Sequence, residues 1–137
     1  MNTDADHTKL AISVAIPTYG REKVLLDTLD YLLALEIGAS EILVVDQTLD
    51  HEPATIEKLS ALDRHGHIRW IKLDTPSITH AMNRALLAAK QDIVLFLDDD
   101  IRPEQGLISA HHAAHQMHPD VLVAGRVIQP WEEGRDF

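Results

Sequence analysis

The distribution of hydrophobic residues changes its period several times along the chain. Near-continuous apolar runs that are rich in β-branched residues predict strands buried on both faces. Between these runs, leucines and alanines recur at the spacing of a helical face. The predicted strands are 10–16, 42–45, 68–73, 93–97 and 121–128, and the predicted helices are 21–38 with Gly38 as its stop, 53–64, 77–90 and 103–117.

The alternation of strands and helices indicates βαβ crossovers. It predicts an α/β fold, a Rossmann-like, doubly wound, mostly parallel sheet with helices on both faces. We expect residues 1–9 to form a disordered tail and residues 10–137 to form one domain. Ligands bind such sheets outside the carboxyl ends of the strands. The polar residues at those ends are Thr18, Tyr19, Arg21, Asp46, Asp74 and the run Asp98, Asp99 and Asp100.

Composition narrows the classes of partner. The 137 residues carry a net charge of −10, which argues against binding to nucleic acid or to an anionic membrane surface. The chain has no cysteine, so disulfides, thiolate catalysis and Cys-ligated zinc are excluded. Its first residues do not resemble a signal peptide, and no apolar run reaches the roughly 20 residues of a membrane helix. We therefore predict a protein of the cytoplasm, or of the inner face of the membrane, without a membrane span.

Three consecutive aspartates, Asp98, Asp99 and Asp100, directly follow the most apolar strand. Two carboxylates about 5 Å apart repel each other by roughly 3 kcal/mol at an effective dielectric constant near 20. Such a group calls for a compensating cation or raised pKa values, unless it is simply a solvated acidic turn. Alternation along the chain predicts that Asp98 and Asp100 point to one side and Asp99 to the other. Oxygen ligands of this kind suit Mg²⁺ or Mn²⁺.

The position of the acidic run argues against three other classes of α/β protein. Haloacid-dehalogenase-like phosphatases carry their D-x-D after the first strand, where this chain has Pro17, Thr18 and Tyr19. Receiver domains also keep acidic residues at the end of the first strand. A dinucleotide-binding domain needs G-x-G-x-x-G there, but the segment TYGREK contains a single glycine.

Four segments in order resemble family 2 glycosyltransferases of the GT-A fold. They are SVAIPTYGRE, EILVVDQT, SITHAMNRAL and DIVLFLDDDI. The resemblance extends from about Ala11 to Ile128 and corresponds to the nucleotide-binding half of such a domain. It implies an enzyme of the hexosyltransferase type that takes a nucleotide-diphosphate sugar and transfers the sugar with inversion.

The resemblance assigns the nucleotide base to the loop after the first strand. Pro17, Thr18, Tyr19 and Arg21 match the segment that lines the base pocket, where the ring of Tyr19 can stack on a base. Asp46 matches the aspartate that accepts a hydrogen bond from the ring N–H of the base. Since this suits a pyrimidine, a UDP-sugar or dTDP-sugar is the expected donor. A strand-to-helix turn and a capping aspartate are the structural alternatives.

The resemblance also gives roles to the acidic run. Asp98 and Asp100 match the D-x-D, so that Asp100 binds Mg²⁺ or Mn²⁺ at the sugar diphosphate and Asp98 faces the ribose, with Asp99 supporting the nucleotide site. The metal ion would stabilise the departing diphosphate. Asn83 matches an asparagine on the preceding helix, although the family often has an arginine at the position of Met82.

No residue of the chain matches the family's general base, so the catalytic residue is unknown. We expect the chain by itself to bind the donor and to transfer poorly, and to be incomplete at its C-terminal end. The alternatives are a non-catalytic nucleotide-sugar-binding or regulatory module, and a half-domain that needs a partner or a homo-oligomer to supply the missing part. The acceptor is not predicted.

Overall fold

The computed structural model of the chain describes residues 8–120. All four strands and four helices predicted within this range are present, and the strand predicted at 121–128 lies outside the described residues. The elements are β1 (Thr8–Thr18), α1 (Lys23–Leu33), β2 (Ile37–Asp46), α2 (Pro53–Arg64), β3 (Arg69–Lys72), α3 (Ile78–Ala88), β4 (Ile93–Phe96) and α4 (Leu107–Met117).

The four strands form one parallel sheet in the order β3-β2-β1-β4. The chain steps outward from β1 to β3 and then returns across the sheet, through α3, to place β4 on the other side of β1. The predicted doubly wound α/β architecture is therefore confirmed. The carboxyl ends of β1, β2 and β4 meet along one edge, with the end of β1 in the middle.

Both faces of the sheet are buried, as the near-continuous apolar strands predicted. Ile12, Val14 and Ile16 of β1 belong to a large cluster completed by leucines of α1 and α2 and by Ile108 of α4. Ala15, on the opposite face of β1, belongs to a smaller cluster with α3. The α3 helix contributes only small residues, the buried Ala81 and Ala85, and these allow its backbone to lie close to the sheet.

The predicted boundary between the first helix and the second strand is corrected. Gly38 does not stop the helix, because α1 ends at Leu33 and Gly38 lies within β2. The physical reason is long-range pairing, since Thr8 and Lys9 pair with Ile37 and Gly38 and extend the sheet. Thr8 and Lys9 are thus part of β1 rather than of the expected disordered tail, and residues 1–7 lie outside the described range.

The segment before α3 brings the start of that helix to the same edge as the strand ends. Ser77 is its N-cap, and the Ser77 hydroxyl accepts a hydrogen bond of 3.3 Å from the backbone N–H of His80. Gln47, just after β2, donates through Nε2 to the carbonyl of Ser77 at 2.6 Å and anchors this start. Within residues 8–120, no helix has the length and apolar character required to cross a membrane.

Candidate functional site

The acidic run lies in a turn beyond β4, beside the end of β1. Asp98 and Asp100 are exposed, whereas Asp99 is half-buried. The Thr18 hydroxyl donates a hydrogen bond of 2.7 Å to Oδ2 of Asp99, across 81 positions of sequence. The predicted alternation thus agrees with the exposure of the three side chains. Only the inward carboxylate is held by a neighbouring strand.

Arg21 forms ion pairs with this turn. Its Nε lies 3.6 Å from Oδ1 of Asp99, and its Nη2 lies 3.9 Å from Oδ2 of Asp100. Both ion pairs are long and the guanidinium is half exposed, so the compensation that it offers is weak. The structure therefore brings Thr18 and Arg21 to the acidic run, as the sequence predicted. It leaves Asp98 and Asp100 with acceptor capacity facing solvent.

A buried hydroxyl positions the backbone of this turn. The Thr28 Oγ1 of α1 lies 2.9 Å from the carbonyl oxygen of Asp99, 3.0 Å from that of Val24 and 3.2 Å from that of Ile101, so its one hydrogen is shared between the turn and its own helix. Thr28 is fully buried, so this donor is shielded from water. Thr28 was not predicted from the sequence, because a threonine on the inner face of a predicted helix carries no signal of a partner more than 70 positions away.

A concave surface of about 310 Å³ opens at the same edge. That volume lies at the lower end of the range found for small-molecule sites. The predicted base-pocket residues Pro17, Thr18 and Tyr19 form one wall, and the ring of Tyr19 is 60% exposed. The other wall, which the sequence analysis did not identify, consists of Gln47 and the start of α3 at Pro76, Ser77 and Ile78.

A somewhat larger concavity, of about 360 Å³, lies elsewhere. Its lining includes Thr8, Gly38 and Lys90, near the amino ends of the strands. It is far from the strand ends at which the polar residues converge. We therefore assign the site to the smaller concavity.

Asp46 is brought to the same edge but is closed to solvent. Its side chain is 1% exposed. Its Oδ1 accepts from the N–H of Thr48 at 2.9 Å. Its Oδ2 accepts from the indole N–H of Trp70 at 2.9 Å and faces Nε2 of His51 at 2.5 Å. Asp46 therefore does not line the concavity in this structure. Direct contact with a nucleotide base remains a prediction, and it would require one of these donors to be exchanged.

His51 connects Asp46 to the start of α1. Its second ring nitrogen, Nδ1, contacts the carboxylate of Glu22, and the ring itself is 3% exposed. Burial lowers the pKa of His51, but the hydrogen bonds and charges of Glu22 and Asp46 outweigh it, so that the pKa lies above its ordinary value. Neither Glu22 nor His51 was predicted from the sequence to have a role. No local pattern links them, because they lie 29 positions apart.

Asn83 is the predicted site residue that the structure does not bring to this group. It lies in the middle of α3 and is exposed, two positions from both Ala81 and Ala85, which face the sheet. It is not among the residues that line the concavity. Its assignment stays a prediction from the resemblance.

The oxygen ligands available at the acidic run determine which metal ion it can bind. Within residues 8–120, no three histidine or acidic side chains are grouped as the ligands of a metal ion. Two exposed carboxylates, Asp98 and Asp100, are nevertheless what a Mg²⁺ or Mn²⁺ site takes from a protein when phosphate oxygens and water supply the remaining ligands. The residues present therefore fit a divalent ion bound together with a phosphorylated ligand.

Comparison with known proteins identifies relatives of the chain. The sequence model of the family described as "Glycosyl transferase family 2" matches residues 13–137. An uncharacterised glycosyltransferase of Bacillus subtilis (strain 168), YfnE, is 27% identical over 115 residues, which are 82% of this chain and 29% of that protein.

Solved structures share the fold. Residues 1–349 of TarS from S. aureus, in complex with UDP-GlcNAc, superpose with a TM-score of 0.62 at 25% identity, over 80% of this chain and 32% of that one. The mannosyltransferase PcManGT of Pyrobaculum calidifontis, in complex with GDP-Man and Mn²⁺, gives a TM-score of 0.61 at 21% identity, over 79% of this chain and 32% of that one. This second likeness supports the fold alone.

The chain spans about a third or less of the length of these relatives. The family match begins in β1 and takes in every later element of the sheet. It agrees with the four ordered segments read from the sequence and with the GT-A structures that superpose on the described residues. The chain therefore belongs to glycosyl transferase family 2, as a member with the N-terminal half of the GT-A fold.

Proposed function

We propose that the chain binds a nucleotide-diphosphate sugar at the carboxyl edge of the sheet, with a divalent metal ion held by Asp98 and Asp100, for inverting glycosyl transfer. One observation carries the proposal. Two exposed carboxylates lie in a turn that Thr18 and Arg21 hold at the same edge of the sheet as a concave surface of about 310 Å³. Family membership supplies the class of reaction.

The base is proposed to occupy the concavity between the end of β1 and the start of α3. The exposed ring of Tyr19 is available for stacking, and the rigid Pro17–Thr18 segment forms the adjacent wall. Gln47 is buried, and its Nε2 is engaged with the carbonyl of Ser77, so it shapes the pocket. The S. aureus structure with UDP-GlcNAc supports a UDP-sugar as the donor to be tested first.

The diphosphate is proposed to lie over the acidic run. A divalent ion bound there would neutralise the leaving nucleoside diphosphate. Asp98 and Asp100 would hold this ion, while Asp99, bound by Thr18 and Arg21, keeps the turn in place. Arg21 is half exposed, so its guanidinium can also reach a phosphate. We assign no general base within the chain.

Calorimetric titration tests the proposal directly. UDP, dTDP and GDP are titrated into the chain with and without Mn²⁺, and UDP is then titrated into Asp100→Asn. We expect Mn²⁺-dependent binding of a pyrimidine nucleotide, weakened at least about tenfold by the loss of the carboxylate. Asp92→Asn is the matched control, because Asp92 is exposed near the opposite end of β4. Equal binding with and without Mn²⁺ would contradict the metal site.

Release of the nucleotide from a UDP-sugar tests whether the chain transfers sugar by itself. Little or no release in the presence of acceptor mixtures is the expected result, because no general base is assigned within the chain, and the non-catalytic alternative shares this expectation. Turnover that is lost in Asp100→Asn supports transfer by the chain itself. The same protein samples serve for both measurements.

A further inference from the structure

His51 is a buried titratable side chain that the proposed function does not use. Its Nε2 lies 2.5 Å from Oδ2 of Asp46, and its Nδ1 contacts Glu22. An ionised carboxylate only accepts hydrogen bonds, so each ring nitrogen must carry a hydrogen in order to satisfy both partners. The geometry is therefore that of an imidazolium between two carboxylates.

This imidazolium joins two loops at the edge of the sheet. Glu22 is the N-cap residue of α1, Asp46 ends β2, and His51 itself lies between β2 and α2. Two further bonds connect the same loops. The carboxylate of Glu22 accepts from the backbone N–H of Glu52 at 2.5 Å, and the backbone N–H of Gly20 donates to Thr48 Oγ1 at 2.8 Å.

These bonds hold the loop between β1 and α1, which contains residues proposed to contact the ligand. Tyr19, which lines the concavity, and Arg21, which pairs with the acidic run, both lie between the end of β1 and Glu22. If His51 became neutral it would keep one N–H, so either Glu22 or Asp46 would lose its donor. Two buried or half-buried negative charges would then face each other across the ring.

Among the described residues, the ion pair that Glu22 and the one that Asp46 make are both with His51. Glu22 faces it from α1 and Asp46 from β2. From β3 the neighbour is the ring of Trp70 at a centroid distance of 6.4 Å, with Nζ of Lys72 lying 4.0 Å from the centroid of that same indole. On its own loop, Asp50 and Glu52 are exposed acids.

We propose that protonated His51 is a positioning residue for nucleotide binding, because its bridge between Glu22 and Asp46 holds Tyr19 and Arg21 in their binding positions. This inference rests on the proposed function. Burial lowers the pKa of His51, but its two carboxylate partners outweigh that effect and raise the pKa above 6.5. The bridge is complete below that pH and is lost as the pH rises through the folded-state pKa.

The test is the pH dependence of UDP–Mn²⁺ affinity, measured by calorimetry between about pH 6 and pH 9. At each pH, the affinity of the unmodified chain is divided by that of His51→Gln. We expect this ratio to fall at least about fivefold as the pH rises through the titration of His51. Titration of the nucleotide and of Mn²⁺ is common to both proteins and cancels in this ratio. His67→Gln, at an exposed histidine near the amino ends of the strands, is the matched control and should follow the unmodified chain.

A second variant keeps the test informative if His51→Gln does not fold. Glu22→Gln retains the acceptor for Glu52 but removes one of the two charges that stabilise the imidazolium. The midpoint of the pH dependence should therefore move to lower pH. A midpoint that is unchanged in Glu22→Gln, or a ratio between the unmodified chain and His51→Gln that does not vary with pH, would overturn the inference while leaving the proposed function standing.

Nuclear magnetic resonance of the nucleotide-free chain provides a reading that does not depend on binding. The amide signals of Tyr19 and Arg21 should move with the same midpoint as the ring nitrogens of His51, and should not do so in His51→Gln. Amide signals that do not move with the titration of His51 would overturn the inference. Failure of UDP to bind at every pH would instead overturn the proposed function.

Discussion

Two acidic groups lie at the same edge of the sheet and have opposite surroundings. The closed cluster consists of Glu22, Asp46 and the imidazole of His51 between them. The open cluster consists of Asp98 and Asp100, which are exposed, and within residues 8–120 the one salt bridge that reaches them is the long pair from Arg21 to Asp100. In the closed cluster, Asp46 by itself receives three donors, two from the loop after β2 and one from Trp70 of β3.

The difference shows that the number of acids at a strand end does not identify a ligand site. Burial of a carboxylate is tolerated only when donors saturate it, and a saturated carboxylate has little capacity left for a ligand. Exposed carboxylates repel each other by roughly 3 kcal/mol at about 5 Å, and this repulsion is relieved when a cation arrives. The closed cluster therefore stabilises the fold, and the open cluster is suited to binding.

The largest loss of stability is expected from a substitution that breaks the closed cluster. Asp46→Ala should lower the free energy of unfolding by about 3–5 kcal/mol, because it leaves the buried donors of His51 and Trp70 without a partner. Urea denaturation measures this loss. Asp100→Ala in the open cluster is the control, and it should change the stability by no more than about 0.5 kcal/mol in either direction. Equal losses in the two variants would contradict the comparison.

The second effect concerns the hydrogen bonding that holds the turn of the open cluster in place. Thr28→Val should cost about 1–3 kcal/mol, because the backbone carbonyls of Asp99 and Ile101 lose a buried donor. It should also weaken Mn²⁺-dependent binding of UDP, since the turn is no longer held in place. Thr28→Ser keeps the hydroxyl and should retain nucleotide affinity. A serine variant that loses affinity as strongly as the valine variant would show that packing, and not the hydrogen bond, supports the turn.

The third effect is the pH dependence of stability, in which two buried histidines act in opposite directions. The pKa of His51 is raised above 6.5, so its stabilisation is present below that pH and is lost as the pH rises through the folded-state pKa. Burial, with a smaller contribution from His115, lowers the pKa of His111, so stability is lost as the pH falls below 6.5. Thermal denaturation as a function of pH should show both limbs. His51→Gln should flatten the alkaline limb and leave the acid limb in place.

The smallest effect on stability is expected at Arg21. Its ion pairs of 3.6 and 3.9 Å are partly exposed, so Arg21→Lys should change the free energy of unfolding by less than about 0.5 kcal/mol. The affinity for UDP–Mn²⁺ should nevertheless fall, since lysine keeps the charge but lacks the planar fork of the guanidinium. A large loss of stability in this variant would mean that the open cluster is held together more strongly than its distances indicate.

The sequence predicted the presence of the strands and helices better than the residues at which they begin and end. The α2 helix runs from Pro53 to Arg64 as expected, because a proline in its first turn and a periodic apolar face act locally. The β2 strand was predicted too short, and Gly38 was assigned to the wrong element, because pairing with Thr8 and Lys9 overrides local propensity there. The membership of Thr18, Arg21 and Asp99 in one group followed from the rule that parallel strands end at one edge.

Side-chain pairing at that edge was beyond sequence reasoning. Asp46 was predicted to be an open acceptor, and the structure surrounds it with Thr48, His51 and Trp70. The same residue type just after another strand, β4, stays exposed at Asp98. Nothing in the local pattern distinguishes the two cases, because the difference lies in which donors the neighbouring elements present.

The amino-acid sequence by itself determined the two-sided burial of the strands and the exposed, acidic turn that follows Phe96. Both follow from short-range patterns of apolar and charged residues, because local backbone geometry decides which face each side chain occupies. Only the tertiary structure decided that Thr18 would hold Asp99 and that His51 would lie between Glu22 and Asp46. Those contacts depend on the strand order β3-β2-β1-β4, which makes neighbours of segments that are as far as 81 positions apart.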